Sequence, residues 1–336
     1  MRTSLTSVLT LLQHLYTKRV AALRQFLRHK AVYLLACCAA ALLLLSNAAG
    51  RVFAEPLLVN VILSENGGSY SEFSAALREN LLDSNVTLSI QDAAQPQPNS
   101  GLIIAVGMKA ASVVANNYAH TVLNVMIPKS GHKKLLHDFP GWEKSSLYSS
   151  IYLDQPIERQ LGLIAASLPD RDRVGVLLDS HTQDELEQLR QKAIEYGLSL
   201  YEQKVEADTP LFDALQNVLQ HSDVVLALPA PAIYNSSTLR NILVSTYQAG
   251  IPLVGFSSAY VRAGAICAVF SSPAHFALQA SMLVRKFIET GILPSAQYPK
   301  FYEVAVNHRV AQSLGININD SDELVKKISI RRRRIP

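Results

Sequence analysis

The feature that most constrains the fold of this chain is a regular alternation between short apolar segments and longer amphipathic ones. Seven segments, each four to seven residues long, are rich in Val, Ile or Leu. They are Leu57–Leu63, Leu102–Val106, Val122–Ile127, Val174–Leu178, Val224–Leu228, Leu253–Phe256 and Ala265–Phe270. Continuous apolar runs of this length are typical of parallel strands that are buried on both faces.

Helices are predicted between these strands, and two of them have recognisable ends. One begins at Thr182, which forms a capping box with Glu185, and ends before Gly197. The other begins at Ser272, which is followed by a proline at the first helical position, and ends before Gly291. Its apolar stripe consists of Phe276, Ala280, Leu283, Val284, Phe287 and Ile288. Further helices are predicted at Tyr70–Leu82, Lys109–Asn117, Ile157–Ser167, Pro210–Gln220 and Ser237–Ala249.

Strands that alternate with helices form βαβ units and parallel sheets, because each parallel strand needs a covering crossover. A chain of 336 residues is long enough for two domains of this kind. Two segments interrupt the alternation and are predicted to be linkers. Gln91–Ser100 is polar and contains prolines, and Lys129–Ser150 has no clear period, so the second is a candidate crossing between two lobes.

The first 54 residues have the composition of an export signal. They contain seven Lys and Arg residues and no acid, and their apolar run extends from Ala31 to Leu45. Such a run makes a helix about 22 Å long, short of the ~30 Å hydrocarbon core of a membrane. A signal peptide cleaved after Ala54 is therefore favoured over a permanent span. An uncleaved signal anchor and a lipoprotein modified at Cys37 remain as alternatives.

The net charge of +4 comes from the two ends of the chain. The leader and Arg331–Arg334 carry it, and the residues between them have a net charge of −7. A nucleic-acid-binding protein needs positive charge on its folded surface, so nucleic acid is not an expected partner. The basic tail, residues 326–336, is expected to be a solvated and disordered end, with binding of anionic lipid or a partner as the alternative.

The cysteines exclude a disulfide framework. Two of the three, Cys37 and Cys38, lie in the leader, and Cys267 lies in an apolar strand. The domain that follows the leader therefore has no intramolecular disulfide, and Cys267 is expected to be a buried, inert thiol.

Sequence motifs for catalysis are missing. The chain contains no Gly-x-Ser-x-Gly, Walker-type, Gly-x-Gly-x-x-Gly, His-Glu-x-x-His or Cys-x-x-Cys motif. His132 and His137 have no further metal ligands that the sequence identifies. No catalytic residue, metal or cofactor is therefore expected, although scattered catalytic residues leave an enzyme as a further alternative.

Several segments of the second half resemble a known family. They are QLGLIAASLP at 160–169, RVGVL at 173–177, SDVV at 222–225, GIPLVG at 250–255, and the stretches 264–280, 291–294 and 306–316. With them, residues 57–318 resemble the substrate-binding proteins of ABC transporters of the tryptophan/tyrosine type. Two positions depart from the family pattern. The Gly-Phe helix after the first strand is blurred at Ser64–Leu77, and Tyr148–Tyr152 replaces a Thr-Gly step.

The resemblance implies an α/β fold of the type I periplasmic-binding-protein kind, with two doubly wound parallel-sheet lobes joined by multiple crossovers. Lobe 1 is expected to comprise residues 55–147 plus 259–292, and lobe 2 residues 148–258 plus 293–325. The implied function is that of a periplasmic solute-binding component that closes by hinge motion on an amino-acid-like carboxylate. An inner-membrane permease is the implied partner, and the protein is expected to be a monomer or weak dimer. The alternative is an orphan sensor or accessory interaction protein of the cell envelope, with membrane anchoring by an uncleaved leader.

Ligands of open parallel α/β sheets bind beyond the carboxyl ends of the strands, where helix N-termini suit a carboxylate. The loops after four strands, and the segment after Tyr152, therefore contain the candidate binding residues. Asp154 is expected to accept from a ligand amine, and the tyrosines to supply apolar surface with a polar edge. The candidates are Ser64, Ser69, Tyr70, Gly107, Met108, Lys109, Tyr152, Asp154, Pro229, Tyr234, Ser257 and Tyr260.

Overall fold

The computed structural model describes residues 55–95, 100–116, 121–142, 146–179, 186–205 and 210–334. The leader and the capping box predicted at Thr182 and Glu185 lie outside these residues. The unit from Pro56 to Pro336 contains two β-sheets, and each sheet has helices on both faces.

The first sheet has five parallel strands in the order β2-β1-β3-β4-β5. The strands are β1 Leu57–Leu63, β2 Val86–Asp92, β3 Leu102–Val106, β4 Thr121–Ile127 and β5 Tyr148–Tyr152. Helices α1 (Gly68–Asn80) and α9 (Pro273–Thr290) cover one face. Helices α2 (Met108–Ala115) and α3 (Lys129–Asp138) cover the other, together with a 3-10 turn at Pro140–Trp142.

The second sheet has six strands in the order β11-β10-β9-β8-β6-β7. They are β6 Arg173–Leu178, β7 Ser199–Lys204, β8 Val224–Leu226, β9 Leu253–Gly255, β10 Cys267–Phe270 and β11 Glu303–Val306. Only the pair β10–β11 is antiparallel among the pairs described. The helices that pack on the second sheet are α4 Ile157–Ser167, α5 Leu186–Glu195, α6 Leu211–His221, α7 Leu239–Gln248, α8 Ser258–Ala263, α10 His308–Ser313 and α11 Ser321–Arg334.

The chain passes between the two sheets at three places within the described residues: 153–156, 271–272 and 291–302. These positions correct the predicted lobe limits. Strand β5 belongs to the first sheet although residues 148–152 were assigned to lobe 2, and α8 and β10 pack with the second sheet although 259–270 were assigned to lobe 1. Pattern alone does not reveal which sheet a strand joins, because the strands of both sheets have the same apolar composition.

All seven predicted strands are present, with bounds that shift by at most two residues. Four strands were missed. Strands β2 and β7 lie at sheet edges and carry polar, partly exposed side chains, whereas β5 is buried but has the sequence YSSIY. The fourth, β11, is the short antiparallel edge strand of the second sheet. Strands with polar residues do not give the continuous apolar signal on which the prediction depended.

The two predicted linkers are wrong in part. Gln91 and Asp92 end strand β2, so the first linker begins inside a strand. The segment Lys129–Ser150 contains helix α3, the 3-10 turn and the start of β5. Helix α3 was missed because its sequence KSGHKKLLHD has few apolar residues, and His132 and Leu135 are its buried ones.

Helix α9 has the predicted ends. The Ser272 hydroxyl accepts from the His275 backbone, Pro273 occupies the first turn, and Gly291 caps the helix in the left-handed conformation. Its predicted apolar stripe is buried or partly buried except for Ile288, which is 44% exposed. The tail was expected to be disordered, and this expectation is wrong. Helix α11 continues to Arg334, and its residue Ile328 is buried in the core of the second lobe.

The prediction for Cys267 is confirmed: the thiol is free and buried, and burial raises its pKa to about 12. Helices of the described residues are too short or too polar for any of them to cross a membrane.

Candidate functional site

A cavity of about 630 Å³ lies between the two sheets, at the carboxyl ends of their strands. The first sheet contributes Met126 at the end of β4 and side chains from the start of α1. The second sheet contributes the loops after β8 and β9. The first two crossing segments, 153–156 and 271–272, form part of its wall. The cavity therefore has walls from both lobes.

Four predicted site residues line this cavity, namely Ser69, Asp154, Pro229 and Ser257. Ser69 lies in the first turn of α1, whose N-cap residue, Gly67, has no side chain that could cap the helix. Pro229 and Ser257 follow the second-sheet strands β8 and β9. These positions line the cavity because both sheets direct the carboxyl ends of their strands to the same space, and their contact with a ligand stays a prediction.

Ser64, Tyr70 and Gly107 do not line the cavity; they form a tight junction inside the first lobe. The Ser64 hydroxyl donates to the Val106 carbonyl (2.8 Å) and accepts from the Ala110 backbone N–H (3.0 Å). Gly107 has φ 85°, and a Cβ there would lie 2.6 Å from Ser64 Oγ and 2.8 Å from the Tyr70 ring. These residues join strands β1 and β3 to helix α2.

Three more predicted residues of the first lobe also lie outside the cavity. Met108 packs against the core under α2, and Lys109 is exposed. Tyr152 is 9% exposed, and its ring stands edge-on to those of His132 and Tyr298.

Tyr234 and Tyr260 are core residues of the second lobe. The Tyr260 hydroxyl donates to the Tyr234 carbonyl (3.2 Å), and both side chains are less than 9% exposed. Burial raises the pKa of Tyr260 to about 12 and raises that of Tyr234 further. Both tyrosines therefore support the loops of the cavity from behind.

Asp154 connects the first crossing to the first lobe. Its carboxylate Oδ2 accepts from the Lys129 backbone N–H at 2.6 Å, at the start of α3. A carboxylate at a helix N-terminus is stabilised by the free N–H groups and the helix dipole. The side chain is thereby held at the edge of the cavity, which it lines.

Sequence reasoning missed the other charged residues of the cavity. Glu72 on α1, Arg262 on α8 and Glu303 on β11 all line it. Arg262 donates to the Ser258 hydroxyl at 3.1 Å. The lining thus presents carboxylates from both lobes and one guanidinium from the second. Glu72 and Arg262 lie on helices and carry no motif, and β11 was itself missed, so the sequence held no signal for them.

Met126 was also missed, and its backbone is unusual. It has φ 58°, and the pairing of β4 with β5 shifts register between Val125 and Ile127. A positive φ costs about 1–3 kcal/mol for a residue other than glycine and is often found at functional sites. The bulge turns the end of β4 into the cavity wall.

Hydrogen bonds tie the three crossing segments together. Gln155 Nε2 donates to Ser271 Oγ (2.9 Å), and Ser271 Oγ donates to the Phe301 carbonyl (2.6 Å). The buried Arg159 donates to Gln155 Oε1 and to the Pro299 carbonyl (3.1 Å), and lies over the Tyr302 ring at 4.0 Å. Because these contacts join all three segments, the lobes are linked by one hydrogen-bonded hinge.

Within the part of the chain that the structure describes, no group of three or more His, Cys, Asp or Glu side chains is placed to hold a metal ion. The charged and hydroxyl side chains of the cavity lining are able to form ion pairs and hydrogen bonds.

Comparison with known proteins gives a family match for this chain. The family model described as ABC transporter substrate binding protein matches residues 140–327. No curated protein sequence matches this chain significantly.

Three solved structures share the fold. One is a ligand-free, open substrate binding protein with adhesive properties from Clostridium difficile, with a TM-score of 0.64 and 13% identity, over 79% of this chain and 96% of that one. Another is a domain in complex with L-Trp from Streptococcus pneumonia, with a TM-score of 0.57 and 16% identity, over 81% and 98%. A conserved domain protein from Vibrio cholerae has a TM-score of 0.56 and 18% identity, over 81% and 98%. The expected fold of two parallel-dominated α/β lobes is confirmed.

Proposed function

We propose a function from one premise: the chain belongs to the family of ABC transporter substrate binding proteins. Proteins of this family bind small molecules and work with transporter permeases. For this chain the proposed ligand is a free amino acid or a similar zwitterionic carboxylate. It binds in the cavity between the lobes, which close on it by motion about the three crossing segments.

The observation that carries the proposal is the distribution of charge in the cavity. Arg262 offers a planar guanidinium, which pairs well with a carboxylate. Glu72, Asp154 and Glu303 offer negative charge for an ammonium group. A molecule with both groups satisfies both kinds of partner, whereas a neutral sugar leaves the charges unpaired. The L-Trp complex of the Streptococcus pneumonia domain supports the same ligand class.

Isothermal titration calorimetry tests the ligand class. The purified full-length protein is titrated with each of the twenty standard L-amino acids and with a panel of neutral monosaccharides. At least one amino acid is expected to bind, and Arg262→Met is expected to weaken that binding about tenfold through loss of a charge-assisted contact. Arg309→Met is the matched control, because Arg309 is an exposed arginine of the same lobe that does not line the cavity. Heats equal to dilution for every amino acid contradict the proposal.

The proposed location is the periplasm, reached through the N-terminal leader, with delivery of the ligand to an inner-membrane permease. The basic and apolar composition of residues 1–54 supports export. Mass spectrometry of the protein from envelope fractions tests it, and the expected mass corresponds to cleavage after Ala54. A full-length mass in the membrane fraction indicates the anchored sensor or accessory protein instead.

A further inference from the structure

A smaller space of about 40 Å³ adjoins the main cavity. It lies between helix α3 of the first lobe and helices α4 and α5 of the second. Asp154, Gln155 and Pro229 line both spaces, so the small one opens where the first crossing segment meets the end of β8. Leu189 and Leu228 give it an apolar side.

Gln160 of helix α4 lines this small space and is 6% exposed. Its Nε2 donates to the Gln155 carbonyl at 3.1 Å, which fixes the side chain. Its Oε1 is buried and has no hydrogen-bond partner within the described residues. A buried acceptor without a partner costs about 1–3 kcal/mol, so the arrangement is expected to serve a group that arrives from outside.

The missing partner must be a hydrogen-bond donor, since a glutamine Oε1 only accepts. A space of this volume is large enough for a water-sized group, which needs about 10–15 Å³ on the same measure. An ammonium group has that size. The carboxylate of Asp154 lines the same space and favours a positive charge there.

Two lysines line the same space and bear on the charge of the incoming group. The Lys129 ammonium donates to the Tyr298 hydroxyl (2.9 Å) and lies over that ring at 5.3 Å, so it is directed to the third crossing. Lys133 lies on the exposed side of the same space. Neither ammonium donates to Gln160 Oε1. Gln160 Oε1 therefore still lacks a hydrogen-bond donor within the described residues.

We propose that Gln160 and Asp154 form the subsite that receives the primary ammonium group of the ligand. Gln160 Oε1 accepts one N–H of this group, and the carboxylate of Asp154 provides the opposite charge. The assignment rests on the proposed function, because it places the ammonium group of a zwitterionic ligand in this small space and its carboxylate at Arg262. It makes Gln160, a residue of the second lobe next to the hinge, a determinant of specificity for amines. A trapped structural water is the rival occupant.

The first test asks whether Gln160 holds a permanent water. Gln160→Met keeps the length of the side chain and removes both the unpartnered acceptor and the Nε2 donor to the Gln155 carbonyl, and Gln279→Met is the matched control. Gln279 is 1% exposed, and both ends of its amide are partnered, by the Tyr298 carbonyl (3.3 Å) and the Lys300 N–H (2.7 Å). Without ligand, Gln160→Met is expected to lower Tm less than Gln279→Met does. An equal or larger loss at Gln160 indicates a permanent water and overturns the proposal.

The second test measures recognition of the amine by thermal shift. The probe is an equimolar mixture of the twenty L-amino acids, compared with the same mixture after N-acetylation. Wild type is expected to respond to the free amino acids only, and Gln160→Met is expected to need about tenfold more of them, the effect of one lost charge-assisted hydrogen bond. Gln160→Glu, which keeps an acceptor, is expected to retain the response. An unchanged response of Gln160→Met overturns the subsite and leaves the proposed function standing.

No response of wild type to either mixture contradicts the proposed function, and methylammonium chloride then decides on the subsite. A stabilisation of wild type that Gln160→Met lacks supports an amine-binding corner in a protein with a different ligand. Equal behaviour of the two proteins toward methylammonium overturns the proposal.

Discussion

The two lobes differ in how their interiors accommodate polar side chains. In the first lobe, His132 Nδ1 lies 2.8 Å from the Ser150 hydroxyl and 3.4 Å from that of Tyr148, so buried polar groups contact one another across elements. In the second lobe, buried hydroxyls such as those of Ser167 and Thr246 donate to carbonyls of their own helices. A polar network within a lobe's core couples its stability to protonation, whereas hydroxyls satisfied within their own helices do not.

The lobes can be followed separately in solution. The chain has one tryptophan, Trp142, which is 6% exposed in the first lobe with its ring 4.3 Å from that of Tyr148. Its fluorescence reports the first lobe, while far-UV circular dichroism reports both. Agreement between the two signals shows whether the lobes unfold together.

The largest effects are expected from cavities in the two cores. Phe73 in the first lobe and Leu163 in the second are both fully buried. Phe73→Ala is expected to lower the free energy of unfolding by about 3–5 kcal/mol, and Leu163→Ala by about 2–5 kcal/mol. Because the hinge hydrogen bonds join the lobes, urea unfolding is expected to shift both signals in both variants. If Leu163→Ala moves the dichroism and leaves Trp142 fluorescence unchanged, the lobes are independent.

The next effect is confined to the first lobe and depends on pH. Burial lowers the pKa of His132 to about 4, from 6.5 for an ordinary histidine. The unfolded chain binds a proton at His132 more tightly than the folded protein does. The contribution of neutral His132 to the free energy of unfolding is therefore fully present above pH 6.5 and is lost as the pH falls toward 4. The loss approaches about 3 kcal/mol. His132→Gln is expected to flatten this part of the pH profile of unfolding, and an unchanged profile contradicts the assignment.

A smaller effect is expected from two glycines with positive φ, one in each lobe. Gly107→Ala combines φ 85° with contacts of 2.6 Å to Ser64 Oγ and 2.8 Å to Tyr70. Gly197→Ala has φ 72° and nothing within 4 Å of the added Cβ. The first is expected to cost about 2–3 kcal/mol and the second about 1 kcal/mol, so the difference isolates the steric part. If both variants lose the same free energy of unfolding in chemical denaturation, the residues around Ser64 accommodate the added Cβ without steric strain.

The smallest effect concerns Cys267 in the second lobe. Because burial raises the pKa of its thiol to about 12, the reactive thiolate is scarce at neutral pH. Ellman's reagent is expected to leave the thiol unmodified in the native protein and to react in urea. Rapid reaction under native conditions indicates that the second core opens locally, which contradicts the expectation of an inert thiol.

The sequence predicted the buried strands that have continuous apolar runs, and it missed the buried strand β5 because its sequence YSSIY contains no such run. It predicted cavity positions such as Pro229 and Ser257, since loops after parallel strands gather at one edge. It assigned Tyr234 and Tyr260 to ligand contact, whereas both are buried in the core of the second lobe behind the cavity loops. Loop position identifies a residue near the cavity, and the direction of the side chain depends on packing that the local pattern does not contain.

What the sequence alone determined is the alternation of strand and helix, the ends of helix α9 and the buried thiol of Cys267. These follow from local rules of periodicity, capping and apolar surroundings. Only the tertiary structure decided which sheet each strand joins, where the chain crosses, and that Asp154 lines both the small space with Gln160 and the main cavity with Arg262. Arg262 lies far from Asp154 and Gln160 along the chain, so only the packing of both sheets around the crossing segments brings the two linings next to each other.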